Sequence, residues 1–178
     1  MFAYLETDRP ITAFRNEIRR AVNDAFTLTF YAGFVEEQPP PTEVPDEGLD
    51  WVVAQIEQEV AFVDTLFAEL KSLRSTAEDP GATVEWVYAR AEGYTNSLDA
   101  IFAYAKLLGA KDTMLTFTGI DGEDSCEVCQ ELKGYRAPAS WWIDNDLLPT
   151  PGNKNYGCEC WNCQHRLEDD EGNVYTPK

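Results

Sequence analysis

Histidine and positive charge are scarce in this sequence, and long apolar runs are absent. There is one histidine, and 14 lysine and arginine residues stand against 32 aspartate and glutamate residues, which gives a formal net charge of -18. A surface this acidic repels phosphate backbones and anionic lipid headgroups, so strong direct nucleic-acid binding and adhesion to a membrane are not expected. No apolar stretch is long enough to span a bilayer. The charge therefore favours a basic partner or a purely solvating role.

Signatures of catalysis are missing as well. A Ser-His-Asp or Cys-His mechanism would have to use His165, the one histidine of the chain. The sequence contains no P-loop, no G-x-G-x-x-G and no H-E-x-x-H. The acidic run that begins at Asp121 is similar to a calcium-binding loop, but Leu132 occupies the position of the bidentate glutamate. Asp144-Asn145-Asp146 predicts a turn or a helix cap instead of a metal site. The chain is therefore not expected to be an enzyme.

The first part of the chain, residues 1–110, has the apolar periodicity of long helices. Apolar residues recur at intervals of three and four over residues 10–34, 46–74 and 80–109, and proline-containing connectors separate these segments. We expect each apolar stripe to face a common core, with docking of one stripe on another chain as the alternative. Gly109 is predicted to end the third helix as a left-handed C-cap. Three long helices with short connectors predict an antiparallel bundle.

A different unit is predicted for residues 111–178. Residues 113–118 are β-branched and aromatic, which predicts a strand. Residues 135–157 contain several prolines and glycines and are expected to be irregular, whereas residues 166–176 have the pattern of a hairpin. The predicted fold class is therefore mainly α, with a helical bundle followed by a small α+β unit that has short strands.

The cysteines are the clearest functional signal. All five lie in the second unit, at Cys126, Cys129, Cys158, Cys160 and Cys163. Cys126 with Cys129, and Cys160 with Cys163, form two C-x-x-C pairs, and two such pairs supply the four thiolates that a tetrahedral zinc ion prefers. We expect one structural Zn²⁺ held by four of the five cysteines, with His165 as the substitute ligand. Zinc would stabilise a loop-rich unit that has little core of its own.

Four other states of the cysteines are open. The thiols could be reduced and buried or paired in disulfides, although an odd number of cysteines does not form a complete disulfide set. They could hold an iron–sulfur cluster, but nothing in the sequence favours a redox role. They could hold a catalytic zinc ion, since Glu127 and Glu159 flank the cysteines and either carboxylate could serve as a general base.

Four short elements follow one another between residues 90 and 160. They are Arg90-Ala91-Glu92 on a predicted helix, Gly109-Ala110-Lys111 at its end, the C-x-x-C-x-x-L-x-G run from Cys126 to Gly134, and a loop with Pro149 and Pro151 that leads to Cys158-Glu159-Cys160. In this order they resemble the C-terminal region of tailed-phage head morphogenesis proteins, the Mu F-like minor head proteins. Relatives usually carry a histidine where this chain has Asn155. If that histidine is a ligand in the family, Cys163 or His165 replaces it here.

The resemblance implies a structural component of the virion that lies in the capsid interior, near the portal, in few copies. It implies portal or capsid proteins as partners, a role in capsid assembly or DNA packaging, and a stay in the host cytoplasm during assembly. Charge appears as early as Glu6 and no apolar signal core follows it, which predicts synthesis inside the cell. Assembly into a homo-oligomer is left open.

Two other classes of function compete with this one. A zinc-ribbon adaptor that binds another protein in regulation or transcription would use the same two C-x-x-C pairs. A small metal-dependent hydrolase or a toxin-like domain is the other class, and the presence of a single histidine counts against it. We therefore expect a structural protein first, an adaptor second and an enzyme last.

Overall fold

Two long helices begin the described part of the protein. The computed structural model describes residues 11–38, 42–76, 88, 97–119, 127–148 and 165–175. Helix α1 is Ile11–Glu37 and helix α2 is Asp46–Thr76, which confirms the first two predicted helices and extends each at its C-terminal end. A third helical segment, α3, covers residues 97–109. Apart from residue 88, the earlier part of the predicted third helix lies outside the described residues.

Aromatic contacts define how the helices lie against one another. Phe14 near the start of α1 meets Phe67 near the end of α2, with ring centroids 5.5 Å apart. Tyr104 of α3 stacks on Trp51 near the start of α2, at 3.6 Å between centroids. Contact between the start of α1 and the end of α2 means that these two helices run in opposite directions. A bundle of three long helices stays a prediction, because much of the third helix is outside the described residues.

Glycine allows α1 and α3 to approach closely. A Cβ at Gly33 would lie 2.6 Å from the carbonyl oxygen of Phe102, and a Cβ at Gly109 would lie 2.8 Å from the Cβ of Glu37. The prediction that Gly109 is a left-handed C-cap is wrong, because its φ is not in the left-handed region. The physical reason for glycine at this position is the close approach of α1.

A small antiparallel sheet follows the helices. Its strands are β1 (Met114–Gly119), β2 (Arg136–Pro138) and β3 (His165–Glu168), in the order β2-β1-β3. Two short helices, α4 (Glu127–Leu132) and α5 (Ala139–Asp144), lie between the strands in the chain. The strand predicted at 113–118 is therefore confirmed, and so is a mainly helical fold with a short-stranded sheet. The hairpin predicted for 166–176 is also confirmed, since Glu168 and Val174 form an antiparallel bridge.

The sheet buries one face. Leu115 lies opposite Ala137 and Phe117 lies opposite Leu167, and all four side chains are buried. The alternate positions carry charge, as at Arg136 and Arg166, which are exposed. One apolar face and one charged face are typical of an antiparallel sheet that covers a core on a single side.

The prediction that residues 135–157 are irregular is wrong for the part that is described. Residues 136–138 form β2 and residues 139–144 form α5. Trp142 explains why this segment is regular. Its side chain is fully buried, and its Nε1 donates a hydrogen bond to the carbonyl of Ala137 at 3.2 Å. Tertiary packing stabilises a helix that is too short to form alone. The predicted turn at 144–146 is confirmed, since Asn145 is the C-cap of α5 and Asp146 has a φ of 55°.

One hydrophobic cluster joins the helices to the sheet. It includes Phe30 and Leu107 from the helices, Phe117 and Leu167 from the sheet, and Trp142 from α5. The predicted boundary at residue 110 therefore lies within a continuous core, and the division into two domains stays a prediction. Within the described ranges, no helix combines the length and apolar character needed to cross a membrane.

Candidate metal centre

The first C-x-x-C pair leads into a helix and a tight turn. Cys129 lies on α4 and its side chain is fully buried in the core cluster. After α4, Gly134 has a φ of 79°, a left-handed conformation that favours glycine. Its N–H donates to the carbonyl of Phe117 at 2.9 Å, while the N–H of Tyr135 donates to the carbonyl of Leu132 at 2.8 Å. The C-x-x-L-x-G part of the motif thus turns the chain from α4 into β2.

His165 lies at the start of β3, next to the other cysteine segment. It pairs with Gly119 across the sheet, and only 4% of the residue is exposed. Its ring stacks on Phe117, with centroids 5.2 Å apart and an interplanar angle of 24°. The imidazole therefore belongs to the buried face of the sheet. The hairpin prediction began at residue 166 and did not anticipate this position.

Phe117 contacts one of the two described ligand candidates and shares a cluster with the other. Its ring stacks on His165, and it belongs to the same buried cluster as Cys129. A thiol and an imidazole are donors that zinc prefers, and structural zinc ligands are typically shielded from solvent. Both described candidates have donor atoms of a type that zinc binds, and both are buried.

The other four candidate ligands, Cys126, Cys158, Cys160 and Cys163, lie outside the described residues. In the described ranges, no group of three or more histidine, cysteine, aspartate or glutamate side chains is arranged to hold a metal ion. Cys126 directly precedes α4, and Cys163 comes two positions before His165. Cys126 and Cys163 are thus close in sequence to described elements.

A buried ammonium group forms a second polar cluster, which the sequence analysis did not identify. Lys106 on α3 is only 8% exposed. Its Nζ lies 2.7 Å from Oε1 of Glu36 and 3.7 Å from Oε1 of Glu37, at the end of α1. It also donates to the carbonyl of Val174 at 2.9 Å and lies 5.0 Å from the ring centroid of Tyr175. A single lysine in an otherwise apolar run, residues 101–108, was the available signal.

The same cluster fixes the segment that follows β3. Tyr175 is buried, and its hydroxyl lies 3.4 Å from Glu37 and 3.5 Å from Asp169. Burial, and then the charges of Glu37 and Asp169, raise the pKa of Tyr175 to about 12. The two units are thus joined by ionic and polar contacts in addition to the apolar core.

Asp169 organises the turn after β3. Its Oδ1 accepts hydrogen bonds from the N–H groups of Glu171 and Asn173, at 2.9 and 2.8 Å. Burial acts to raise the pKa of Asp169, but the hydrogen bonds from Asn173, Glu171 and Gly172 together outweigh it and lower the pKa. The turn is therefore built around an ionised carboxylate.

Tyr104 of α3 is a second tyrosine with a raised pKa. Burial is the main reason that the pKa of Tyr104 rises to about 12, and the charges of Glu47, Asp144 and Asp146 add to it. Tyr104 also stacks on Trp51 of α2.

The chain matches no protein-family model, no curated protein and no solved structure. Its function is therefore inferred from its own residues and their geometry.

Proposed function

We propose that the protein is a minor structural protein of a tailed-phage head that acts near the portal in capsid assembly or DNA packaging. The observation that carries this proposal is the C-x-x-C-x-x-L-x-G run from Cys126 to Gly134, which resembles the head morphogenesis family. In the described part of this run, Cys129 is buried in the core and Gly134 adopts a left-handed conformation in the turn that leads into β2. The role proposed is structural and involves no catalysis.

One structural zinc ion is part of the proposal. Cys126 and Cys129 would supply two ligands, and two more would come from Cys158, Cys160 and Cys163, with His165 as the substitute. The ion would supply a cross-link between segments that are far apart in the sequence, without redox chemistry. The burial of Cys129 and His165 supports a closed site of this kind.

The charge of the chain supports a place beside packaged DNA. A net charge of -18 opposes binding to phosphates, so a protein that lines a DNA path would not retain the DNA. The same charge favours basic surfaces on portal or capsid proteins as docking sites. The proposed location is therefore the capsid interior, reached from the host cytoplasm during assembly.

The direct test is quantitative mass spectrometry of heads and of assembly intermediates purified from the phage that encodes the chain. We expect the protein in one or both, at a copy number far below that of the major capsid protein. Absence from mature heads and from intermediates alike would contradict the proposal.

A zinc-ribbon adaptor is the second candidate, and the spacing of the two C-x-x-C pairs favours it. Such a protein would bind a regulatory or transcription partner through its second unit. A DNA affinity that falls steeply with salt would support a role of this kind in transcription and would count against the head protein. The exposed basic residues Arg136 and Arg166 are each paired with a carboxylate, from Asp170 and Glu168 respectively, which weakens that alternative.

A further inference from the structure

Helix α1 has an apolar surface on its outer side. Phe26, Phe30 and Phe34 face inward and are at most 2% exposed. Leu28, Tyr31 and Val35 are 69%, 44% and 41% exposed, and their spacing of three and four residues puts them on one face. We call these three residues the α1 patch. A helix at a protein surface normally carries polar residues on this side.

The α1 patch differs from single exposed apolar residues, which are common on protein surfaces. Its three members cover two successive turns of one helix, and Ala32 between them is also exposed. By contrast, Val53 and Phe62 on α2 are 52% and 45% exposed but are nine positions apart. A contiguous apolar surface of this kind is typical of a protein interaction site.

Charge indicates what covers the α1 patch. Asp24, one turn before Leu28, is exposed, and the side chain of Glu36, directly after Val35, is 48% exposed. Glu36 also holds Lys106, so it is partly neutralised. The whole chain carries a charge of -18, and a second copy would bring the same charge to the contact. Repulsion therefore disfavours self-association, whereas a cationic partner would be attracted.

We infer that the α1 patch docks a basic amphipathic helix of a partner protein. Apolar side chains of that helix would cover Leu28, Tyr31 and Val35, and its lysine or arginine residues would face Asp24 and Glu36. Such helices are recognised through apolar anchors at helical spacing. This inference rests on the proposed function, because it names the surface and the chemistry by which the protein would dock on a head component.

The test uses the full-length protein and a fluorescein-labelled synthetic peptide of 18 residues, with leucine on one helical face and lysine on the other. Fluorescence anisotropy measures its affinity for the wild type, for Leu28→Ser/Tyr31→Ser, and for the matched control Val53→Ser/Phe62→Ser. The two pairs remove apolar side chains of similar exposure, and circular dichroism checks that all three proteins are folded. A peptide of the same composition in scrambled order tests whether the apolar face matters.

We expect Leu28→Ser/Tyr31→Ser to weaken peptide binding at least tenfold, while Val53→Ser/Phe62→Ser changes it less than threefold. The scrambled peptide should bind more weakly, and added salt should weaken binding further. Equal losses in the two variants, or no binding to the wild type, would overturn the inference. So would a dimer in sedimentation that Leu28→Ser/Tyr31→Ser abolishes, since the occupant would then be a second copy. Because no phage component is used, a failure here is distinct from absence of the protein from heads.

Discussion

At the scale of the residue, the main feature is the buried ammonium group of Lys106. A charged side chain inside a core is costly unless ion pairs and hydrogen bonds satisfy it. Lys106 meets this requirement with partners from two elements, Glu36 and Glu37 of α1 and the carbonyl of Val174. The position of this lysine therefore determines how the segment after β3 lies against the helices.

Replacement of this lysine tests that role. Lys106→Met keeps most of the side-chain volume but removes the charge and its hydrogen bonds, and it leaves Glu36 and Glu37 close together. We expect the free energy of unfolding to fall by about 1–3 kcal/mol, since Glu36 is half exposed and its share is screened by solvent. Urea denaturation measures the change. Lys111→Met, at an exposed site, is the control and should stay within about 0.5 kcal/mol of the wild type.

The tyrosines determine an alkaline limit of stability. The pKa of Tyr175 is raised to about 12, whereas an unfolded tyrosine titrates near 10, so the folded state favours the neutral phenol. Its contribution is complete below pH 10 and is lost as the pH rises towards 12. Tyr175→Phe should therefore reduce the decline of the free energy of unfolding in this range.

Urea denaturation between pH 9 and pH 11.5 measures this slope. The pKa of Tyr104 is also raised, so part of the decline in the free energy of unfolding should remain in Tyr175→Phe. Tyr31→Phe, which removes an exposed phenol, is the matched control for the loss of a tyrosine hydroxyl. An identical slope in Tyr175→Phe and the wild type would show that Tyr175 does not limit alkaline stability.

At the scale of the element, the contact of α1 with α3 depends on small residues. Gly33→Ala raises helix propensity by about 1 kcal/mol, but its new Cβ would lie 2.6 Å from the carbonyl oxygen of Phe102. Backbone atoms yield little, and overpacking costs about 1–3 kcal/mol. We therefore expect a net loss of stability, visible as a lower melting temperature.

The comparison variant for this prediction is Ala32→Gly at the neighbouring exposed position of α1. It should lose about 1 kcal/mol from helix propensity alone. Both substitutions should then destabilise the protein, although one replaces glycine with alanine and the other replaces alanine with glycine. A more stable Gly33→Ala would mean that α3 does not pack closely against α1 at this point.

The same elements show how far sequence reasoning reaches. Apolar periodicity predicted α1 and α2 well, because long stripes average out single exceptions such as the exposed Val53. Apolar periodicity did not predict α5. This helix has only six residues and depends on the burial of Trp142, which is a tertiary contact. Sequence reasoning also assigned Gly109 to a cap, because a glycine at a helix end and a glycine at a helix contact look alike in a sequence.

Only the chemical type of the candidate ligands could be predicted from the sequence. Cysteine spacing identifies candidate ligands, but it does not reveal which of them the fold brings together. The burial of His165 depends on the pairing of β3 with Gly119 across a gap of 46 positions in the chain. Lys106 was missed for a similar reason, since its partners come from residues 36–37 and 174.

At the scale of the whole molecule, a chain with a net charge of -18 has one continuous core in its described part. The core joins residues on both sides of position 110, so the small sheet is supported by the helices as well as by its own contacts. The proposed zinc ion would add a cross-link between the segment that contains Cys126 and Cys129 and the segment that ends at Cys163. Loss of that cross-link would then disturb the second unit most directly.

The central claim is that a structural zinc ion holds the second unit, and a native mass spectrum recorded with and without a chelator tests it most directly. We expect one zinc ion per chain, and we expect the chelator to remove it together with the narrow charge-state distribution of the folded protein. A metal-free protein that keeps the compact distribution would contradict the claim and would leave the phage-head proposal with only its helix and loop pattern.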